Sequence, residues 1–240
     1  MFSSISEVSR MYPDHLLRHP DNDKLRLYWN DLYADYNILQ VQGFPQIENY
    51  LASTLHTLQH CVSQQHLTFA VRMDLRFPGS MPRLPMHDNN EVLTRFFRHL
   101  RYELDRVNLK YPHHLRYIWA REQANSDKPH YHVMLLLNKN AVDSIGYTGP
   151  SDDGSYSRDN LFHRVYRAWL KAMGFSGDDP RWGQIVHVSK HPVTKRYWSG
   201  VLHRNDYMAM DDAMYMASYL CKAYTKPFCQ GIKVFDCSRR

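Results

Sequence analysis

Lys128-Pro129-His130-Tyr131-His132-Val133-Met134-Leu135-Leu136-Leu137-Asn138 sets two histidines around one bulky residue and follows them with an apolar run. The run opens after a proline and closes on the turn-forming Asn138-Lys139-Asn140, which makes it too short for an ordinary helix and suited to a β-strand. Alternate residues of a strand share a face, so His130 and His132 point the same way, about 7 Å apart along the chain. Two imidazoles so placed can close on one cation if a neighbouring strand supplies a third ligand.

That neighbour is expected directly upstream. Leu115-Arg116-Tyr117-Ile118-Trp119-Ala120-Arg121-Glu122 is rich in β-formers, and the polar Gln123-Ala124-Asn125-Ser126-Asp127 connects it to the histidine strand, as in a hairpin. With Glu122 opposite His130 and Ala120 opposite His132, a carboxylate joins the two histidines on one face. A register slip of two keeps it there, and a slip of one removes it. Glu122, His130 and His132 are therefore the candidate metal ligands.

The 240 residues suit one domain with an extension or two small ones, and 43% hydrophobic content is ample for a core. No stretch approaches the ~20 apolar residues of a membrane span, and Met1 to Arg10 lacks the apolar centre of a signal peptide, so a cytoplasmic protein without membrane contact is expected. Cys61, Cys221, Cys229 and Cys237 have neither zinc-ribbon spacing nor the density of a disulfide scaffold, and free thiols are expected. Charge is uneven. Residues 1–65 carry 4 basic and 7 acidic side chains and residues 66–240 carry 26 and 17, so the histidine-bearing part stands at +9 and favours a polyanionic partner.

Residues 1–23 read as irregular, and Lys24 to about Tyr36 and Pro45 to about Ser63 as amphipathic helices, which makes 1–64 a helical N-terminal extension and 65–240 the catalytic domain. His66 to Phe77 reads as a strand whose alternation of charged and apolar residues after Val71 marks one wet face. Asp88-Asn89-Asn90-Glu91 opens a helix to about Asn108 that buries Leu93, Phe96, Phe97, Leu100 and Leu104, and its arginines Arg95, Arg98, Arg101 and Arg106 form either a solvated face or a phosphate track. Asp143 to Asp153 reads as a surface loop and Ser155 to Met173 as a helix ended by Gly174. Trp182 to Ser189 and Tyr197 to His203 read as strands across the 191–195 turn. This succession implies an α+β fold, a central antiparallel sheet with helices on its faces.

Asp211 to Lys222 reads as a helix with Asp211 and Asp212 at its N-terminal side. Tyr215, Tyr219 and Lys222 then share one face, either as packing residues with a lysine at the rim or as two phenols and an ammonium available for chemistry. Combined with a carboxylate and two histidines, they suit one reaction. A divalent cation polarises a phosphodiester, a tyrosine attacks phosphorus, and Lys222 assists the phenol.

These motifs resemble the HUH endonucleases, rolling-circle replication initiators named for a His-hydrophobic-His motif, here His130-Tyr131-His132, over residues 66–224. Within them, two tyrosines separated by three residues and placed after the histidines look like the two-tyrosine phage initiators, most of all the gene-two-like replication proteins of filamentous phages and prophages. The resemblance implies nicking of one origin strand, a 5′-phosphotyrosine at Tyr215 or Tyr219, and a free 3′-hydroxyl for polymerase. It implies Mg2+ or Mn2+ as cofactor, single-stranded or melted origin DNA as partner, and a bacterial host cytoplasm as setting. No phosphate-binding Gly-x-x-x-x-Gly-Lys-[Ser/Thr] segment is present, so unwinding would fall to a host helicase. Cupin and amidohydrolase readings of the His-x-His fit poorly, because no carboxylate ligand follows in the apolar run. A non-catalytic phage or prophage DNA-binding regulator is the alternative.

Overall fold

The computed structural model describes residues 16–41, 44–107, 109–123, 126–175, 182, 184–228 and 230–238. The expectation for residues 1–15 and the thiol of Cys229 lie outside them. In chain order come β1 (Arg18–His19), β2 (Asn22–Tyr28), β3 (Leu32–Tyr33), β4 (Tyr36–Asn37), β5 (Gln46–Ile47) and α1 (Glu48–Gln64). They are followed by β6 (Thr68–Arg76), α2 (Glu91–Asp105), β7 (Arg116–Glu122), β8 (His130–Asn138) and α3 (Leu161–Ala172). Last are β9 (Val186–Val188), β10 (Ser199–Leu202), α4 (Tyr207–Ser218) and β11 (Phe235–Cys237).

Among the described residues, six strands form one antiparallel sheet in the order β10-β6-β8-β7-β11, with the short β9 beside β10 on the same edge of β6. Helices lie on both faces, so the fold is α+β as expected. One face carries Phe69, Val71, Met73, Leu75, Val133, Leu135 and Leu137 into a core shared with α2 and α3, where Trp169 is fully buried and its indole N–H donates to Arg76 O. The other carries Ala70, Ile118, Ala120, Met134 and Leu136 into a second core shared with α1 and α4. Because both faces are covered, the central strand β8 reads as an apolar run rather than as an alternation.

Several expectations need correction. Lys24 to Tyr36 is not a helix but the strands β2 and β3 and their turn. Leu25 and Leu27 alternate onto one face, and Leu27 packs beside Ile47 of β5, with which it pairs. The described part of the segment before residue 65 carries the short strands β1 to β5 as well as a helix, and it packs on the sheet: Ile38 and, from α1, Leu51, Leu58 and Cys61 belong to the same core. The charged face of β6 is wet only at its end, where Arg76 is exposed, because Arg72 and Asp74 turn beneath α4, Arg72 being only 8% exposed. The Ser155–Met173 helix starts at Leu161, where the Asn160 side chain caps the His163 N–H. The two late strands do not pair along their length; they meet at one bridge, Lys190↔Tyr197, and both lie along β6. The tyrosine helix starts a turn earlier than expected, with Asp206 capping Ala209 N–H, so Asp211 and Asp212 sit inside it and bond to Asn37 and Trp198.

Candidate metal centre

The β7–β8 register places Glu122 opposite His130 and Ala120 opposite His132, the pairing expected from the hairpin. On the other side of β8, Asp74 faces His132 and Arg76 faces His130. Directly paired residues share a face, so His187 of β9, Asp74, His132 and Ala120 form one row across the sheet, and Arg76, His130 and Glu122 form the next. These rows lie on the face covered by α4.

Glu122, His130 and His132 bring one ligand atom each to within 4.8 Å of one another. His130 Nε2 is 3.7 Å and His132 Nε2 3.2 Å from Glu122 Oε2, near the separation of two ligands on one ion with bonds of about 2.1 Å. His132 is held at its other nitrogen, where Nδ1 stands 2.6 Å from Asp74 Oδ1. With the Nδ1 proton on that bond, the Nε2 lone pair faces a carboxylate oxygen across 3.2 Å. Two acceptors so close require positive charge between them, either a second proton or a cation. His132 Nε2 is buried without a hydrogen-bond partner among the described residues, as expected of an atom that faces a metal ion, while the other Glu122 oxygen, Oε1, faces Lys226 at 3.8 Å. The group can hold a metal ion.

The protonation states agree with this geometry. Burial works against charge on His132, but Glu122 and Asp74 outweigh it and hold its pKa above the usual imidazole value. Burial and the neighbouring His132 depress His130 to about 4, so its ring is neutral near neutrality and its lone pair is free to ligate. Burial pushes Glu122 upward, yet His132, Lys226 and Lys222 together bring it well below the carboxylate range. Asp74 is likewise held down at about 2, its burial outweighed by His132 and Arg72.

Past α4 the chain tightens into a 3₁₀ turn, Tyr219–Cys221, and then extends, so Lys222 does not continue the helical face. Instead its ammonium reaches 2.8 Å from Glu122 Oε2 and 3.9 Å from the centre of the Tyr219 ring. The Tyr219 ring stands edge-on to His132 at 5.0 Å, with the Arg72 guanidinium 4.4 Å from its centre. Tyr215, one turn earlier, packs 5.7 Å from His191. The structure thus brings Tyr219 and Lys222 to the ligand group and gives Tyr215 a different neighbour. The N-terminal segment braces this helix: Leu39 N–H donates to Ser218 Oγ, and Gln46 bridges Lys222. The α2 arginines lie on the opposite face of the sheet, where Arg95 bonds Ala172 O and Arg106 pairs with Glu103.

Residues 30–238 match the YagK/YfjJ C-terminal domain family. The chain belongs to that family. All of Asp74, Glu122, His130, His132, Tyr219 and Lys222 fall within the matched stretch. Two similar proteins are the uncharacterized proteins YfjJ and YagK of Escherichia coli (strain K12). YfjJ is 30% identical over 52% of this chain, and the match spans about half of its own length, 55%. YagK is 28% identical over 71% of this chain and 82% of its own. No solved structure matches the chain. Among the described residues, no helix of this family member is long and apolar enough to cross a membrane, and Cys61, Cys221 and Cys237 are free thiols.

Three site residues escape the sequence reading. Asp74 and Arg72 were visible as charges alternating on β6, a signal equally compatible with a solvated face. Lys226 lies 3.8 Å from Glu122 Oε1, fully buried, and burial lowers its pKa to about 8 against the pull of Glu122. It gave no signal in the sequence.

Proposed function

We propose that this protein is a metal-dependent DNA-nicking and rejoining endonuclease of the HUH kind, acting on single-stranded or melted origin DNA to initiate rolling-circle replication. The observation that carries the reading is the meeting of Tyr219 with His132, two residues far apart in sequence that belong to two separate motifs of the resemblance. Glu122, His130 and His132 would hold Mg2+ or Mn2+, the imidazoles favouring manganese, and the ion would supply Lewis-acid polarisation of the scissile phosphate. Asp74 orients His132 so that Nε2 and not Nδ1 faces the ligand group. Lys222 and Arg72 flank Tyr219 with positive charge where an incoming phosphate brings negative charge. The Tyr219 oxygen attacks phosphorus as its phenol proton is given up, and the bond from phosphorus to the 3′ oxygen breaks. That oxygen takes up a proton from solvent or Lys222 and leaves as a 3′-hydroxyl while the 5′ phosphate stays on tyrosine. Host helicase and polymerase would extend the strand in a bacterial cytoplasm.

A non-catalytic DNA-binding regulator is the second reading. The Lys222–Glu122 pair favours it, because an ammonium at 2.8 Å neutralises the carboxylate without a metal.

The test is covalent adduct formation with labelled single-stranded oligonucleotides tiled across the DNA flanking the gene, with Mn2+ or EDTA, followed by denaturing gels and peptide mapping. A metal-dependent adduct on Tyr219 is expected. Tyr219→Phe should abolish it and Tyr215→Phe should leave most of it. Absence of any adduct in the wild type, or undiminished adduct in Tyr219→Phe, defeats the proposal.

A further inference from the structure

Between Trp182 and Asn205 the sequence contains no aspartate or glutamate, while it carries Lys190, Lys195, Arg196 and Arg204. In the fold this stretch becomes β9, a projecting loop and β10 on the sheet edge nearest Asp74. The loop begins at the site itself, since Ser189 Oγ accepts from Arg72 Nε at 2.9 Å. It is stiff. Lys190 and Tyr197 bridge its base, His191 N–H donates to Arg196 O, and Lys195 N–H donates to His191 O. Val193 and Thr194 N–H both donate to His191 Nδ1, and Lys195 closes the turn at φ +59°.

The loop is also braced against the tyrosine helix by one carboxylate. Asp212 accepts from Trp198 Nε1 at 2.7 Å and pairs with His191 Nε2 at 3.1 Å. That carboxylate is held by His191 and Trp198 and is half-buried. The outward side presents Lys190, Lys195 and Arg196, all exposed and none paired with a carboxylate among the described residues, and Tyr197 at 58% exposure. The Lys190 ammonium lies 5.5 Å from the Tyr197 ring centre. Tyr197 also lines a cleft of about 420 Å³ with Tyr156, Tyr166, Val186 and Val188, which opens on the α3 side of this sheet edge.

A rigid ridge with unpaired cations and an exposed aromatic ring, whose base at Ser189 bonds Arg72 beside the ligand group, matches the chemistry of a single nucleic-acid strand: phosphates on the cations and a base on the ring. We infer that the 189–198 loop is the docking ridge for single-stranded DNA, with a base stacked on Tyr197. The inference rests on the reading that this chain acts on DNA, and it assigns the contact to a surface outside the metal ligands.

The test measures binding of a fluorescent oligothymidylate by anisotropy in EDTA, where no metal-dependent cleavage intervenes, across a salt series. Lys190→Ala/Lys195→Ala/Arg196→Ala is expected to weaken binding at least tenfold at low salt. It should also flatten the plot of log affinity against log salt by about 2, since each lost single-strand phosphate contact removes roughly 0.7. Tyr197→Ala should weaken binding roughly tenfold with little change of slope. The charge-matched variant Arg98→Ala/Arg101→Ala/Arg106→Ala, altered on the far face of the sheet, should bind nearly as wild type. Manganese binding followed by electron paramagnetic resonance should survive in all three variants and reports an intact fold. Unchanged affinity in the loop variants, or an equal loss in the charge-matched variant, overturns the assignment. Loss of binding in the loop variants by a protein that forms no tyrosine adduct would keep the ridge and discard the nicking reaction. An adduct formed by a protein whose loop variants bind normally would do the reverse.

Discussion

Glu103 and Glu122 are both almost fully buried, and both are surrounded by cations, yet they do different things. Glu103 on α2 accepts from Arg167 Nε and Nη2 at 3.0 and 2.7 Å, with Arg106 at 3.3 Å and Lys171 at 3.4 Å. Arg167 in turn donates to Tyr156 O and Arg158 O. The network is closed, and it locks α2 to α3. Around Glu122 one ammonium is close, Lys222 at 2.8 Å, and the other, Lys226, stands off at 3.8 Å; a second carboxylate stands behind His132, and His132 Nε2 is buried with no hydrogen-bond partner among the described residues. A satisfied buried carboxylate supports the fold, whereas one that faces an imidazole lone pair across an unfilled contact is prepared to bind.

The sharpest way to break this contrast is to neutralise each carboxylate in turn. Glu122→Gln should remove the metal-dependent stabilisation, which for wild type at a hundredfold excess of Mn2+ over its dissociation constant is about 2.7 kcal/mol in urea unfolding. Glu103→Gln should keep the metal-induced shift while lowering metal-free stability by about 3 kcal/mol, because Arg167 is left buried without its charge partner. Equal metal responses in the two variants would erase the distinction.

A smaller effect is expected from Asp74→Asn. The fold should persist, but His132 loses the carboxylate that fixes its tautomer, and manganese affinity should fall about 10- to 100-fold by calorimetric titration. Unchanged affinity would mean that Asp74 only pairs with His132 and does not orient it.

The smallest effect is a slope. His130 titrates near 4 in the fold against an ordinary value of 6.5, so between those limits the unfolded chain binds a proton that the folded chain refuses. Its contribution therefore makes metal-free stability fall as pH drops from 6.5 toward 4. His130→Ala should flatten that part of the profile in urea unfolding at a series of pH values. Above pH 7 the profile should be little changed, and an unaltered slope at acid pH would show that the ring titrates normally.

The fold class and the Glu122, His130 and His132 group were legible in the sequence because both follow from local period. The alternation of a strand decides which residues share a face, and a short connection between two strands limits their register, so three ligand candidates could be placed on one surface from residues 115–138 alone. The apolar run of β8 disclosed a strand, and the structure adds that it is covered on both sides. The charged residues of β6 were legible as a pattern but not as a location, since alternation cannot tell a solvated face from one roofed by a helix.

What tertiary structure alone decided is everything that joins distant segments. Asp74 meets His132 across 58 residues, and Arg72 reaches Met216 O across 144. Helical spacing set Tyr215 and Tyr219 as equals. The 3₁₀ turn after Ser218, held by the N-terminal segment through Leu39, Pro45 and Gln46, sends Tyr219 and Lys222 toward the ligands and leaves Tyr215 beside His191. Local sequence specifies the period and facing of an element. Where that element comes to rest depends on the complementary surfaces of segments far along the chain, which no window of the sequence contains.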